Sequence, residues 1–164
     1  MWSPERRKFL MFGAAAALAA CGFEPVYAPG GGGSRLIGRV RPADPQTTED
    51  YIFVREVETR LGRAPEGGLV LAYATKVAEE RMAISTSNIT TRFNVIGTIT
   101  YQLKDAASSV VLNKGKVDSF TSYSTTGSTV ATQAARRDAR ERLMVILANL
   151  VIVRLEAVAV DLPI

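Results

Sequence analysis

The sequence predicts an α+β fold, a two-layer sandwich in which a mostly antiparallel sheet of about four strands carries two helices on one face, in the order β-α-β-β-β-α. Three observations lead there: a central stretch that alternates apolar and polar residues, a last third whose apolar residues recur at helical spacing, and a shorter helical stretch between two strand-like segments near the start. At 164 residues, 47% hydrophobic and 22% charged, the chain is long enough for one domain with a substantial core and short for two.

The elements follow in order. "RLIGRV" (Arg35 to Val40) is a short strand candidate, closed by the breakers Pro42, Asp44 and Pro45. A helix comes next: Thr47 or Thr48 supplies its cap, Phe53, Val54, Val57 and Leu61 recur at helical spacing, Glu56 precedes Arg60 by one turn as an ion-pair partner, and Gly62 ends it. After the turn "RAPEGG", the segment "LVLAYATKVA" (Leu69 to Ala78) is rich in apolar and β-branched residues and reads as a strand. The clearest strand is the third, where Phe93, Val95, Gly97, Ile99, Tyr101 and Leu103 alternate with Arg92, Asn94, Ile96, Thr98, Thr100, Gln102 and Lys104, giving one core face and one polar face. "DAASS" (Asp105 to Ser109) is a turn, and "VVLNKGKVDSFTSYST" is a less regular strand, expected to be interrupted near Asn113 to Gly115. Short links make the three strands an antiparallel meander.

From a cap at Ser128 or Thr129, helical spacing continues to about Val158, with Ala131, Ala135, Ala139, Leu143, Ile146, Leu147 and Leu150 opposite Arg136, Arg137, Arg140 and Glu141. Its second half, "LMVILANLVIV" (Leu143 to Val153), is apolar almost all round. That predicts cover on every side, by the rest of the domain or in part by a docked partner.

The first twenty residues read as an export signal rather than as part of the domain. Arg6, Arg7 and Lys8 form a positive start, and Phe9 to Ala20 is a twelve-residue apolar run, too short to span a bilayer as a helix. "LAAC" (Leu18 to Cys21) resembles a bacterial lipobox, whose cysteine takes a thioether-linked diacylglycerol before cleavage frees its amine for a further acyl chain. "RRKFL" also resembles the core of a twin-arginine signal, with Glu5 where Ser or Thr is usual. Residues 21–34, which include "APGGGGS", read as a lipidated cysteine and flexible tether, and 35–164 as the single domain.

Composition excludes several chemistries. There is no histidine and one cysteine, so zinc sites built on His, the Ser/His/Asp triad and the Cys/His dyad are ruled out, as is an intramolecular disulfide. Removing Glu5, Arg6, Arg7 and Lys8 takes the chain from 20 basic and 16 acidic residues to 17 and 15, which leaves no case for nucleic acid.

A lipobox followed directly by "CGFEPVY", this element order, and the closing stretch "FTSYSTTGSTVATQAARRDARERLMVILANLVIVRL" together resemble the LPS-assembly lipoprotein family, LptE, over nearly the whole chain. The shared marks are the "CGF" start, the small-residue-rich entry to the last helix and a stretch such as Arg137, Asp138 and Ala139. The resemblance implies a protein anchored in the inner leaflet of the outer membrane, facing the periplasm, that plugs and helps assemble the large β-barrel LptD, binds lipopolysaccharide and assists its delivery to the cell surface. It implies no catalysis, and no cofactor beyond the acyl chains on Cys21. Gly22 is compatible with outer-membrane sorting, since the usual retention signal there is aspartate.

Lipid A phosphates call for clustered Lys or Arg and charge-assisted hydrogen bonds. The candidates are Arg81 and Arg92 around the "ISTSNITT" loop, and Lys114 and Lys116 on the strand after it. The resemblance matches Lys116 to a basic strand position used for lipopolysaccharide, whereas the family's loop arginine has no certain equivalent. The polar row from Arg92 to Lys104 suits a polar barrel lumen, as it suits any sheet face in water. Two rival classes stand beside this one. A serine hydrolase would draw on Ser119 to Thr132 with Lys114 or Lys116 as base, but no G-x-S-x-G or S-x-x-K motif is present. An auxiliary lipoprotein of an ATP-driven phospholipid transporter would be equally small, anchored and α+β.

Overall fold

Alternation from Phe93 to Lys104 builds a strand in the middle of the sheet. The computed structural model describes residues 26–65, 68–84 and 90–163. Within them α1 (Gly32–Leu36), β1 (Val40–Pro42), α2 (Thr48–Leu61), β2 (Leu69–Ile84), β3 (Thr90–Asp105), β4 (Val111–Ser124) and α3 (Thr129–Val158) follow one another, and the sheet order is β1-β2-β3-β4. The export signal and Cys21 lie outside the described residues, as does most of the "ISTSNITT" loop.

The meander is as expected: Ile99 stands opposite Thr75 on β2 and Val117 on β4, both pairings antiparallel. β1 joins it in parallel, Val40 opposite Leu69, so the sheet is mixed. The cause is the helix between them, since a strand that returns through a helical crossover re-enters the sheet in the same direction. The interruption expected at Asn113 to Gly115 falls earlier: the register steps from Leu103–Asn113 to Lys104–Val111, leaving Leu112 as the extra residue, and the strand runs on through the glycine.

Two expectations near the start are corrected. "RLIGRV" is not a strand, and "APGGGGS" is not without regular structure: Gly32–Leu36 forms a short helix, and only Val40–Pro42 pairs with the sheet. Gly32 makes this possible, because a Cβ there would collide with the carbonyl oxygen of Glu156 on α3. Absence of a side chain is used for contact rather than for freedom.

α2 opens with a capping box in which Thr47 Oγ1 accepts from the Asp50 amide at 3.1 Å and Asp50 Oδ2 accepts from the Thr47 amide at 3.1 Å. Its buried apolar residues are Phe53, Val57 and Leu61, and the Phe53 ring lies 4.6 Å from that of Tyr73 on β2. Arg60 donates to Asn149 Oδ1 of α3 at 2.9 Å, so it serves the joint between the helices and not the expected pairing with Glu56. α3 is capped by Ser128, whose Oγ accepts from the Ala131 amide, and lies over β3 and β4. Ala139, Leu143, Met144, Leu147, Ala148, Val151, Ile152 and Leu155 are its buried apolar residues. The domain alone does not cover this helix on every side, because Ile146, Leu150 and Val153 are exposed.

Gly97 shows how tightly helix and sheet meet. A Cβ at this position would stand 2.7 Å from Leu147 Cδ1 and 2.9 Å from Leu143 Cδ2, inside van der Waals contact. With the Phe53–Tyr73 contact this puts α2 and α3 on the same face of the sheet, and the opposite face carries no element among the described residues.

Candidate ligand-binding face

Strand alternation assigns the uncovered face. On β3 it takes the even-numbered residues from Asn94 to Lys104, on β2 their partners Val70 to Glu80, and on β4 Lys114, Lys116, Asp118, Phe120 and Ser122. The register stacks these into rows: Ala72, Gln102 and Lys114; Ala74, Thr100 and Lys116; Lys76, Thr98 and Asp118. Lys114 and Lys116 are exposed neighbours about 7 Å apart along one strand. Lys104 is one strand over, and Lys76 is exposed two strands over, each within roughly 8–12 Å of this pair by strand spacing. This end of the face holds four lysines against one exposed acid, Asp118.

The four predicted residues do not form one cluster. Arg92 pairs with Ser124 and Ala83, and Arg81 with Phe93, at the other end of the sheet. Thr100 marks the Lys116 row, eight residues along β3 from Arg92, which is about 26 Å of strand. Lys114 and Lys116 are thus brought together with Lys76 and Lys104, two residues that the sequence reading did not single out as a site. Lys104 was visible in the polar row. Lys76 needed the β2–β3 register, which no local pattern in "LVLAYATKVA" supplies.

The hydroxyl-bearing residues proposed for hydrolase chemistry are arranged otherwise. Ser119 and Thr121 pair with Gly97 and Val95 on the covered face, and Thr121 Oγ1 donates to the Ala139 carbonyl at 2.7 Å. The sheet stands between them and Lys114 or Lys116. Ser122 shares the open face but lies six residues along β4 from Lys116, about 20 Å away.

At the rim of the covered face, Arg136 and Arg140 do more than solvate a helix. Glu79 Oε1 accepts from Arg136 Nε at 2.8 Å and from Arg140 Nη2 at 2.8 Å, while Glu79 Oε2 accepts from the Tyr123 hydroxyl at 3.1 Å. Arg140 Nη1 also meets Glu49 Oε1 at 2.7 Å, so one network joins α2, α3, β2 and β4. Burial opposes the charge of Glu79, yet the bonds from Arg136, Arg140 and Tyr123 outweigh it and hold the carboxyl below its ordinary value. Tyr123 is raised, first by burial and then by its bond to Glu79. These charges are satisfied within the fold, and they border a groove lined by Thr48, Glu49, Gln133, Arg136, Arg137 and Arg140.

α3 also closes the sheet edge. Arg154 Nη1 donates to the Lys116 carbonyl at 2.8 Å, covering the outer backbone of β4 while the Lys116 side chain stands on the open face.

Comparison with known proteins adds the following. The model of a family described as LptE, lipopolysaccharide-assembly, matches residues 39–155. The fold is similar to that of a lipoprotein from Caulobacter crescentus CB15, with a TM-score of 0.62, 20% identity, and coverage of 77% of this chain and 93% of that one. It is also similar to rare lipoprotein B from Shewanella oneidensis, with a TM-score of 0.57, 8% identity, and coverage of 75% and 96%. A minor lipoprotein from Acinetobacter baumannii has a TM-score of 0.56 at 14% identity, with coverage of 77% and 94%. No curated protein matches the sequence.

Proposed function

The chain belongs to the LptE lipopolysaccharide-assembly family, and from that premise we propose that it is an outer-membrane lipoprotein that binds lipopolysaccharide and plugs and assembles an LptD-type β-barrel for transport to the cell surface. It is held at the periplasmic face of that membrane by the diacylglycerol and N-acyl chains on Cys21, and it catalyses no reaction. The observation that carries the binding half is the basic end of the uncovered sheet face. Lys114 and Lys116 stand side by side there, each with its cross-strand partner Gln102 or Thr100 in the same row, so phosphate and sugar hydroxyl groups meet charged and neutral donors together.

The plug half draws on the same surface. A barrel lumen is polar, and the Thr, Gln, Asn and Lys residues of this face suit it, although Ile96 and the exposed Phe120 share the face. Affinity capture of the mature lipoprotein from detergent-solubilised membranes tests the reading. A large partner whose electrophoretic mobility changes on heating is the expected result. Capture of an inner-membrane ATP-driven complex instead would overturn it in favour of a phospholipid transporter.

A further inference from the structure

We infer that the end of the domain where the chain arrives from Cys21 is a membrane-contact surface, on which Val26, Tyr27, Ile37 and Val160 seat in the interfacial layer of the bilayer that holds the anchor. The inference rests on the lipidation of Cys21 proposed above.

The entry segment is docked on α3. The Gly33 amide donates to the Val26 carbonyl at 2.9 Å, and the Tyr27 hydroxyl donates to Glu156 Oε1 at 2.6 Å. Arg35 donates to the carbonyls of Val160 and Leu162, fastening the same segment to the chain beyond the helix. Gly32 and Gly33 are buried against α3 and Tyr27. The domain therefore meets its anchor through a fixed end rather than a swinging tether.

Chain geometry then limits the distance. Val26 follows Cys21 by five residues, which reach at most about 18 Å even when fully extended. β2 by contrast carries 16 residues away from β1, roughly 50 Å of strand. One end of the molecule is held at the headgroups and the other is held far from them.

The near end has the chemistry of that layer. Val26 is 44% exposed, Tyr27 52%, Ile37 50% and Val160 55%, all on the entry segment or the turn that follows α3. Glu156 occupies the Tyr27 hydroxyl while the ring remains half outside, the amphipathic arrangement that suits a headgroup boundary. Arg39 is exposed one short step further along the chain and adds attraction to anionic lipid, while Asp161, next to Val160 in the chain, is an exposed acid that opposes it.

Because acylation blocks Cys21, the native chain offers no other thiol, and single cysteines at Ile37→Cys, Val160→Cys and Thr126→Cys can each carry a fluorophore. The full lipidated protein is placed in phosphatidylethanolamine/phosphatidylglycerol vesicles containing a headgroup nitroxide. Fluorophores at 37 and 160 should be quenched severalfold more than one at 126, which lies past β4 at the distant end. Equal quenching at all three positions, with the protein floating with the vesicles and carrying its acyl mass, overturns this inference and leaves the anchor intact. Failure to float, with no acyl mass, overturns the anchor reading and this inference with it. A surface at 37 and 160 that stays unquenched in vesicles and becomes shielded only when the barrel is added belongs to a protein contact and also overturns it.

Discussion

On one face of the sheet Val95, Ile99, Leu103 and Val117 are buried beneath the helices, and a single residue away along the same strands Thr100 and Lys116 are exposed. Backbone, strand length and hydrogen bonding are shared, so the difference comes from what lies opposite. A face that meets a helix must be apolar and shaped to it, because interiors are packed to crystal-like density. A face that meets solvent is free of that demand, and its residues can be chosen for a ligand. The lesson is that fold information and binding information here occupy alternate residues of one segment, and substitutions one position apart should give opposite phenotypes.

The largest effect should come from charging the covered side. Leu147 is fully buried, so Leu147→Asp places an unpaired carboxylate in an apolar surround and should cost several kcal/mol, enough to unfold a domain of ordinary stability. Thermal unfolding followed by circular dichroism should show no cooperative transition in the variant. A melting temperature within a few degrees of wild type would mean that α3 does not lie on the sheet as described. Gly97→Val tests the same contact by volume. Its added carbons must displace Leu143 and Leu147, and overpacking of this kind costs about 1–3 kcal/mol. Urea unfolding should show the midpoint falling with the slope unchanged.

A third comparison uses the rim between the two faces. Glu79→Gln leaves Arg136 and Arg140 without their shared carboxylate, and the loss should be about 1–2 kcal/mol near neutral pH, because Arg136 is half in solvent and the Arg140 bond to Glu49 remains. The folded carboxyl titrates below its ordinary value of 4.5, so its contribution is complete above that pH and fades as pH falls through the lower folded value. Wild type and variant should therefore converge in urea stability on acidification. A constant difference down to pH 3 would assign the effect to something other than the ionised carboxylate.

Much of the covered face was legible in the sequence because alternation is local. The β3 pattern, the helical spacing of Phe53, Val57 and Leu61, the Ser128 cap and the meander could be read from short windows. What escaped depends on contacts distant in sequence. Gly32 looks like part of a spacer until Glu156 is known to pack on it, 124 residues later. Arg136 and Arg140 look like a solvated stripe until β2 brings Glu79 beneath them. The open face divides in the same way: Lys114 and Lys116 are neighbours by spacing alone, Lys76 joins them only through register, and Arg92 is carried to the opposite end by the length of the strands, while Arg81, opposite Phe93, falls on the other face.

The smallest effect on stability, and the sharpest contrast, should lie at Lys116. Its side chain is exposed, no ion pair engages it among the described residues, and its carbonyl keeps the Arg154 bond whatever the side chain is. Lys116→Asp should thus alter stability by less than about 0.5 kcal/mol. Binding should respond to the sign of the charge. An aspartate removes a charge-assisted bond to a lipid A phosphate and adds repulsion, whereas Lys116→Arg retains the charge and donors. Lipopolysaccharide affinity should fall for Lys116→Asp and stay near wild type for Lys116→Arg. The difference should shrink as salt rises, since exposed charges are screened within about 8 Å at physiological ionic strength. Lys114, two residues away on the same face, should give a weaker version of the same pattern, and Arg92, about 26 Å along the sheet, none. Equal binding by the Lys116 variants with a loss at Arg92 would move the site to the far end of the open face and leave the account of the covered face untouched.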